Sequence, residues 1–172
     1  MFKKSFLSSK AIGDHGEELV LNLFNKFGIK CEKNEDKETR LDYDLLCELG
    51  RKKFNCEVKF DKMAQKTGNL AIEFFNSNKG AASGIGVTKA DLWVHIVLDG
   101  DHPTIWAASV PYLRQWINAH KPKRVVEMAG DGNASLYLYS DEDILDIALL
   151  RLDTLDEKEL KKVIRKLLND LQ

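Results

Sequence analysis

The chain has 172 residues, 44% of them hydrophobic, enough to bury a core within one globular domain. No apolar run approaches the ~20 residues that span a bilayer, and the hydrophobic stretch near Met1 is too short for a signal peptide, so a membrane protein is excluded and a cytoplasmic one expected. The formal charge of −1 does not exclude nucleic acid: residues 51 to 91 hold eight Lys/Arg against four Asp/Glu, residues 127 to 172 six against eleven, so positive charge is local and the acidic tail cancels it.

Residues 14 to 28 carry Leu19, Val20, Leu23, Phe24 and Phe27 at helical spacing, with Gly28 as the stop. Residues 30 to 40 are polar and read as a loop or weak strand. Leu41 to Glu48 and Lys53 to Phe60 flank Leu49-Gly50-Arg51-Lys52 as a β-hairpin. Further strands are predicted at Asn69 to Phe75, Leu92 to Leu98 and Thr104 to Ala108. Pro111 suits the first turn of a helix running to about His120. Val125 to Met128 and Ser135 to Tyr139 read as short strands around the turn-rich Gly130-Asp131-Gly132-Asn133. Ser140 with Asp143, and Thr154 with Glu157, resemble capping boxes opening helices to Leu152 and along Leu160, Val163, Ile164, Leu167 and Leu171. The three cysteines, Cys31, Cys47 and Cys56, lack metal-ligand spacing and are expected as free thiols.

The chemistry concentrates in Cys56-Glu57-Val58-Lys59-Phe60. Alternation puts Glu57 and Lys59 on one strand face and Cys56, Val58 and Phe60 on the other. Such a pair alone is an ordinary sheet-surface ion pair. Its company changes the reading. The hairpin brings up the preceding strand, where Asp44 is favoured over Asp42 because it lies deeper in apolar sequence and a buried carboxylate needs a cation. Two carboxylates suit a hard cation such as Mg²⁺ and leave positions for a phosphate oxygen and a water. Lys59 can position or help deprotonate that water and offset charge on the phosphate. Glu17, three residues before Val20 and seven before Phe24, points to the core side and joins as a helix-borne acid. Glu73 suits the acidic cluster and a solvated strand face alike. Three glycines between Gly80 and Gly86 allow close backbone approach to a phosphate, with Lys79, Ser83, Thr88 and Lys89 as donors. His95 reads as a core histidine, and His15 has no partner spacing for zinc.

The order Gly13-Asp14-His15-Gly16-Glu17, then Asp44, then Glu57-Val58-Lys59, resembles the PD-(D/E)XK nuclease superfamily, its Holliday-junction-resolvase-like branch best. No proline precedes Asp44, a departure at a loose position. Asn69-Leu70-Ala71-Ile72-Glu73 and the stretch Ala82 to His95 are similar to segments of predicted phage and prophage nucleases. The resemblance spans roughly residues 13 to 98. It implies an α/β, restriction-endonuclease-like αβββαβ core with a mixed central sheet and C-terminal helices, within a single nuclease domain over 1 to 172 whose core covers about 11 to 125. It further implies Mg²⁺-dependent DNA endonuclease activity, with Mn²⁺ as a substitute, and frequent homodimers. Asp44 and Glu57 would be metal ligands, Lys59 the catalytic lysine and Glu17 the acid on the helix. The rival readings are a non-catalytic nucleic-acid-binding or assembly module on the same fold, and an RNA-cleaving member of the superfamily.

Overall fold

Helix α1 (Ser9–Lys26) opens the computed structural model, which describes residues 9–36, 38–39, 42–129, 134–140 and 149–169. Strands β1 (Lys30–Lys33), β2 (Leu45–Leu49) and β3 (Lys52–Asp61) follow, then a one-turn helix α2 (Ala64–Thr67), β4 (Asn69–Asn76), β5 (Ala81–Ala82) and a 3₁₀ turn at Gly84–Gly86. Strands β6 (Leu92–Asp99) and β7 (His102–Ser109), helix α3 (Val110–Ala119), β8 (Arg124–Ala129), β9 (Ala134–Ser140), β10 (Leu150–Arg151) and helix α4 (Glu157–Asn169) complete it.

The main sheet has the order β1-β2-β3-β6-β7-β10 and is mixed, since β3 and β6 run parallel and every other pairing is antiparallel. The β2–β3 hairpin closes through Gly50 and Arg51, with Gly50 at φ 68°, the positive φ that tight hairpin turns require. A parallel pair needs a long crossover. Between β3 and β6 its one α-helix is the four-residue α2, and β4 and β5 in the same connection join a second sheet, β5-β4-β9-β8. The strand predicted at Asn69 to Phe75 therefore exists, but outside the central sheet.

The two faces of β6 explain its near-continuous apolar sequence, which marks a strand covered on both sides. Leu92, Val94 and Ile96 pack with Phe54, Cys56 and Val58 beneath α1 and α4, through Val20, Phe24, Leu160 and Ile164. Trp93 and Val97 face the other way, onto Leu70, Ile72, Leu113, Trp116 and Tyr139. Strands β8 and β9 complete the second sheet, and α4 seals the first face.

Helix α1 begins five residues earlier than its apolar stripe suggests, and Gly28 at φ 70° ends it as expected. A Cβ on Gly16 would meet Phe60 Cβ and Ile96 Cδ1 at 3.3 Å, so this glycine lets the helix lie close on β3 and β6. Leu150 and Arg151, expected at a helix end, form an edge strand on β7. The proposed cap at Asp143, the 130–133 turn and Leu171 lie outside the described residues. The box that opens α4 is Asp156 with Glu159, not Thr154 with Glu157: Glu159 N–H donates to Asp156 Oδ1 (2.8 Å) and Asp156 N–H to Glu159 Oε2 (3.2 Å). Cys31, Cys47 and Cys56 are free thiols.

Candidate active site

Strand alternation delivers Glu57 and Lys59 to the β3 face that looks toward the second sheet, in register with Trp93 and His95 of β6. Lys59 Nζ lies 2.6 Å from Glu57 Oε1 and 5.8 Å above the Trp93 ring. Trp93 Nε1–H donates to His95 Nδ1 (3.2 Å), so the histidine is a hydrogen-bonded core residue that braces the indole under the ammonium. A cleft of about 650 Å³ opens here, lined by Lys59, Asp61 and His95 of the main sheet and by Glu73, Leu136 and Val126 of the second.

Asp44 sits immediately before β2 rather than within it. Its Oδ2 accepts the Val58 N–H at 2.7 Å, a donor that β2, ending its pairing at Leu45 and Cys56, does not satisfy. Its own N–H donates to Cys56 O (2.9 Å) and its carbonyl accepts from Asn34 N–H (2.8 Å), which fixes the backbone on both sides. Oδ1 makes no hydrogen bond among the described residues.

The electrostatics tie these three groups together. Burial pushes the Asp44 carboxyl above its usual range, against the Val58 N–H and the Lys59 charge, with Glu17 adding to the rise. Burial likewise pushes Glu57 up and the Asp44 charge adds to it, while Lys59 and Thr88 pull it down. Burial alone would lower Lys59, yet Glu57, Asp44 and Glu73 outweigh it and raise the ammonium above its ordinary value. The site therefore holds a firm cation and two carboxylates still short of positive charge.

Glu17 stands at the edge, half-buried, with Oε2 3.2 Å from Lys33 Nζ. Lys33 was missed because β1 is short and polar; its one signal is that alternation places it on the same face as Cys31. Asp42 is engaged elsewhere: its Oδ2 pairs with Lys89 Nζ at 2.9 Å. Glu73 Oε1 accepts from Ser83 Oγ at 2.7 Å. Thr88 is buried, its Oγ1 3.2 Å from Glu57 Oε2 and 3.0 Å from the Asp42 carbonyl.

Three of the four residues anticipated as phosphate donors, Ser83, Thr88 and Lys89, thus have protein partners, and Lys79 alone is exposed without an ion pair among the described residues. The glycine segment lies against β4 instead of forming an open cradle: Gly84 has φ 51°, and a Cβ there would come within 2.3 Å of the Glu73 carbonyl. His15 is exposed and packs its ring 5.9 Å from Phe60.

Among the described residues no three His, Cys, Asp or Glu gather as a metal site. The donor set at β3 is two carboxylates, without imidazole or thiolate. That fits a hard cation held by one or two carboxylates with water and substrate oxygens for the rest, and it fits Mg²⁺ better than zinc.

No protein-family model and no curated protein sequence matches the chain. Its structure is similar to that of a bacterial homing endonuclease, I-Ssp6803I, with a TM-score of 0.54 and 16% identity over 95% of each chain. The chain has a restriction-endonuclease-like fold. A Holliday junction resolvase, Hjc from the archaeal hyperthermophile Archaeoglobus fulgidus, is also similar at TM-score 0.44 and 12% identity, covering 81% of this chain and 91% of that one. The restriction-endonuclease-like fold carries the α-β-β-β order and mixed sheet that the sequence resemblance implied. The connection to the fourth strand of the main sheet holds the short helix α2, followed by β4 and β5. No helix among the described residues is long and apolar enough to cross a membrane.

Proposed function

We propose that this protein is a divalent-metal-dependent nuclease that hydrolyses phosphodiester bonds of DNA, with Asp44 and Glu57 holding the metal and Lys59 as the catalytic lysine. The observation that carries the reading is the Lys59 ammonium held 2.6 Å from Glu57, beside the half-buried Asp44 carboxylate, on a restriction-endonuclease-like sheet. When bound, Mg²⁺, or Mn²⁺ in its place, polarises the phosphate and acidifies a water.

The chain's own groups do the rest. Asp44 Oδ2 is held by the Val58 N–H, which leaves Oδ1 available to a cation. Lys59, kept protonated by Glu57, Asp44 and Glu73, presents positive charge where the phosphate gains negative charge in the transition state. In this form it positions a water and the phosphate. Glu17, held by Lys33, raises the demand of Asp44 for a cation and orients water at the rim. The exposed lysines Lys62, Lys66, Lys79 and Lys89, all on the connection between β3 and β6, would supply positive charge for a phosphate backbone. With one site per chain, cutting both strands calls for a homodimer.

The test is a cleavage assay on labelled linear, nicked, flapped and four-way DNA, with an RNA duplex as control, in Mg²⁺ and in Mn²⁺. Glu57→Ala and Lys59→Ala are expected to lower the rate by at least about 10²-fold, and EDTA to stop it. Wild-type cutting by either folded variant, or activity that survives chelation, would overturn the assignment. Cleavage confined to RNA would reassign the substrate.

A further inference from the structure

We propose that Thr88 is the positioning residue of Glu57, holding its carboxylate in the ligating orientation, and that Arg114 of α3 fixes Thr88 in place. The inference rests on the reading of Glu57 as a metal-holding carboxylate and adds the device that keeps it ready.

Glu57 has three side-chain torsions, and Lys59 restrains only Oε1. Oε2 faces Thr88 Oγ1 at 3.2 Å, in a place where both residues are buried. A threonine hydroxyl has one proton to donate, and Asp42 O at 3.0 Å competes for it. That carbonyl already accepts the Lys89 N–H at 3.0 Å, whereas a carboxylate is the stronger acceptor, so the proton belongs to Glu57. The hydroxyl oxygen is itself oriented by the Ala90 N–H, which it accepts at 3.2 Å. Glu57 is thereby held from both oxygens, by an ammonium on one side and a buried hydroxyl on the other.

Thr88 is in turn held by a rigid turn. Its N–H donates to Gly84 O at 3.0 Å, and Gly84 lies against the backbone of Glu73 as only glycine can at that φ. The Arg114 guanidinium spans the turn, donating from Nε to Ile85 O and from Nη2 to Thr88 O, both at 2.8 Å. Two charge-assisted hydrogen bonds from one planar group fix the two carbonyls relative to each other. The glycine-rich segment thus serves as a buttress behind Glu57, with Ser83 and Thr88 turned inward onto Glu73 and Glu57.

The test uses the full chain and the variants Thr88→Val, Thr88→Ser and Arg114→Met. Crystal structures of the metal-free proteins read the Glu57 carboxylate directly, and calorimetric titration with Mn²⁺ alone reads its consequence without DNA. Thr88→Val is expected to displace or split the Glu57 carboxylate and to weaken Mn²⁺ binding by about tenfold, the scale of one hydrogen bond to a charged group. Thr88→Ser is expected to restore both to the wild-type state. Arg114→Met, which leaves the hydroxyl in the chain, is expected to act in the same direction as Thr88→Val. A Glu57 carboxylate that stays in place in both Thr88→Val and Arg114→Met would overturn the proposal. Should wild type bind no Mn²⁺, the nuclease reading would fall, while the crystal structures would still decide what Thr88 does.

Discussion

Replacing Lys59 by Met removes the cation of the site while keeping the length of the side chain, and its cost follows from burial. The gross attraction across 2.6 Å is about 6 kcal/mol at an effective dielectric of 20, most of which offsets the desolvation of the two charges. Breaking a fully buried pair costs about 3–5 kcal/mol and an exposed one about 0–1 kcal/mol. With side-chain exposures of 11% for Glu57 and 33% for Lys59, the loss falls between those limits, at about 2 kcal/mol, or ~4–8 °C in Tm for a chain of this size. The pH dependence has a definite sign. Burial and Asp44 already push Glu57 above 4.5, and without Lys59 it rises further, so the folded variant binds a proton that the unfolded chain has released. Stability of the variant therefore falls as pH rises through the window above 4.5, and its deficit is larger at about pH 8 than at about pH 5.5. Urea unfolding at the two pH values measures this, with Lys59→Met/Glu57→Leu as the control that removes both charges and recovers most of the loss. A variant within about 0.5 kcal/mol of wild type at both pH values, the range of an ordinary surface substitution, would refute the picture of a buried, electrostatically tense site.

Asp44→Asn is expected to stabilise the metal-free protein by about 1 kcal/mol at neutral pH, since the amide oxygen can still accept the Val58 N–H while the half-buried charge is gone. Because burial holds the Asp44 pKa above 3.8, the advantage shrinks as pH falls through the raised value toward 3.8; thermal unfolding across pH checks both the gain and its slope. Gly84→Ala places a Cβ against the Glu73 carbonyl at φ 51° and is expected to cost on the order of 2–3 kcal/mol in urea unfolding, with a wild-type midpoint refuting the close approach. Lys89→Met removes a largely exposed partner of Asp42 and is expected to leave the unfolding midpoint nearly unchanged, while any loss in DNA affinity should steepen at low salt.

What was legible in the sequence is what depends on neighbours along the chain. Alternation alone placed Glu57 and Lys59 on one face of β3 and Cys56, Val58 and Phe60 on the other, and the Gly50 turn located the hairpin that brings Asp44 alongside. The apolar stripes of α1 and α4 and the glycine that ends α1 were equally local. Motif order also carried the fold, because a few carboxylates and a lysine at set intervals on strand and helix constrain which elements must meet.

The tertiary structure alone decided which side chains close the site from a distance. Thr88 meets Glu57 across 31 positions, and Arg114 meets Thr88 across 26. Neither spacing has a period, so Ser83 and Thr88 read as free donors although their hydroxyls meet Glu73 and Glu57. Lys33 became the partner of Glu17 only when β1 joined the sheet edge beneath α1. The strand at Asn69–Asn76 has the same pattern in either sheet, and its assignment to the second one follows from pairing with β9, some sixty residues on, an energy that no local window contains. Local periodicity determines which face a residue takes; only long-range pairing and packing determine what stands opposite that face.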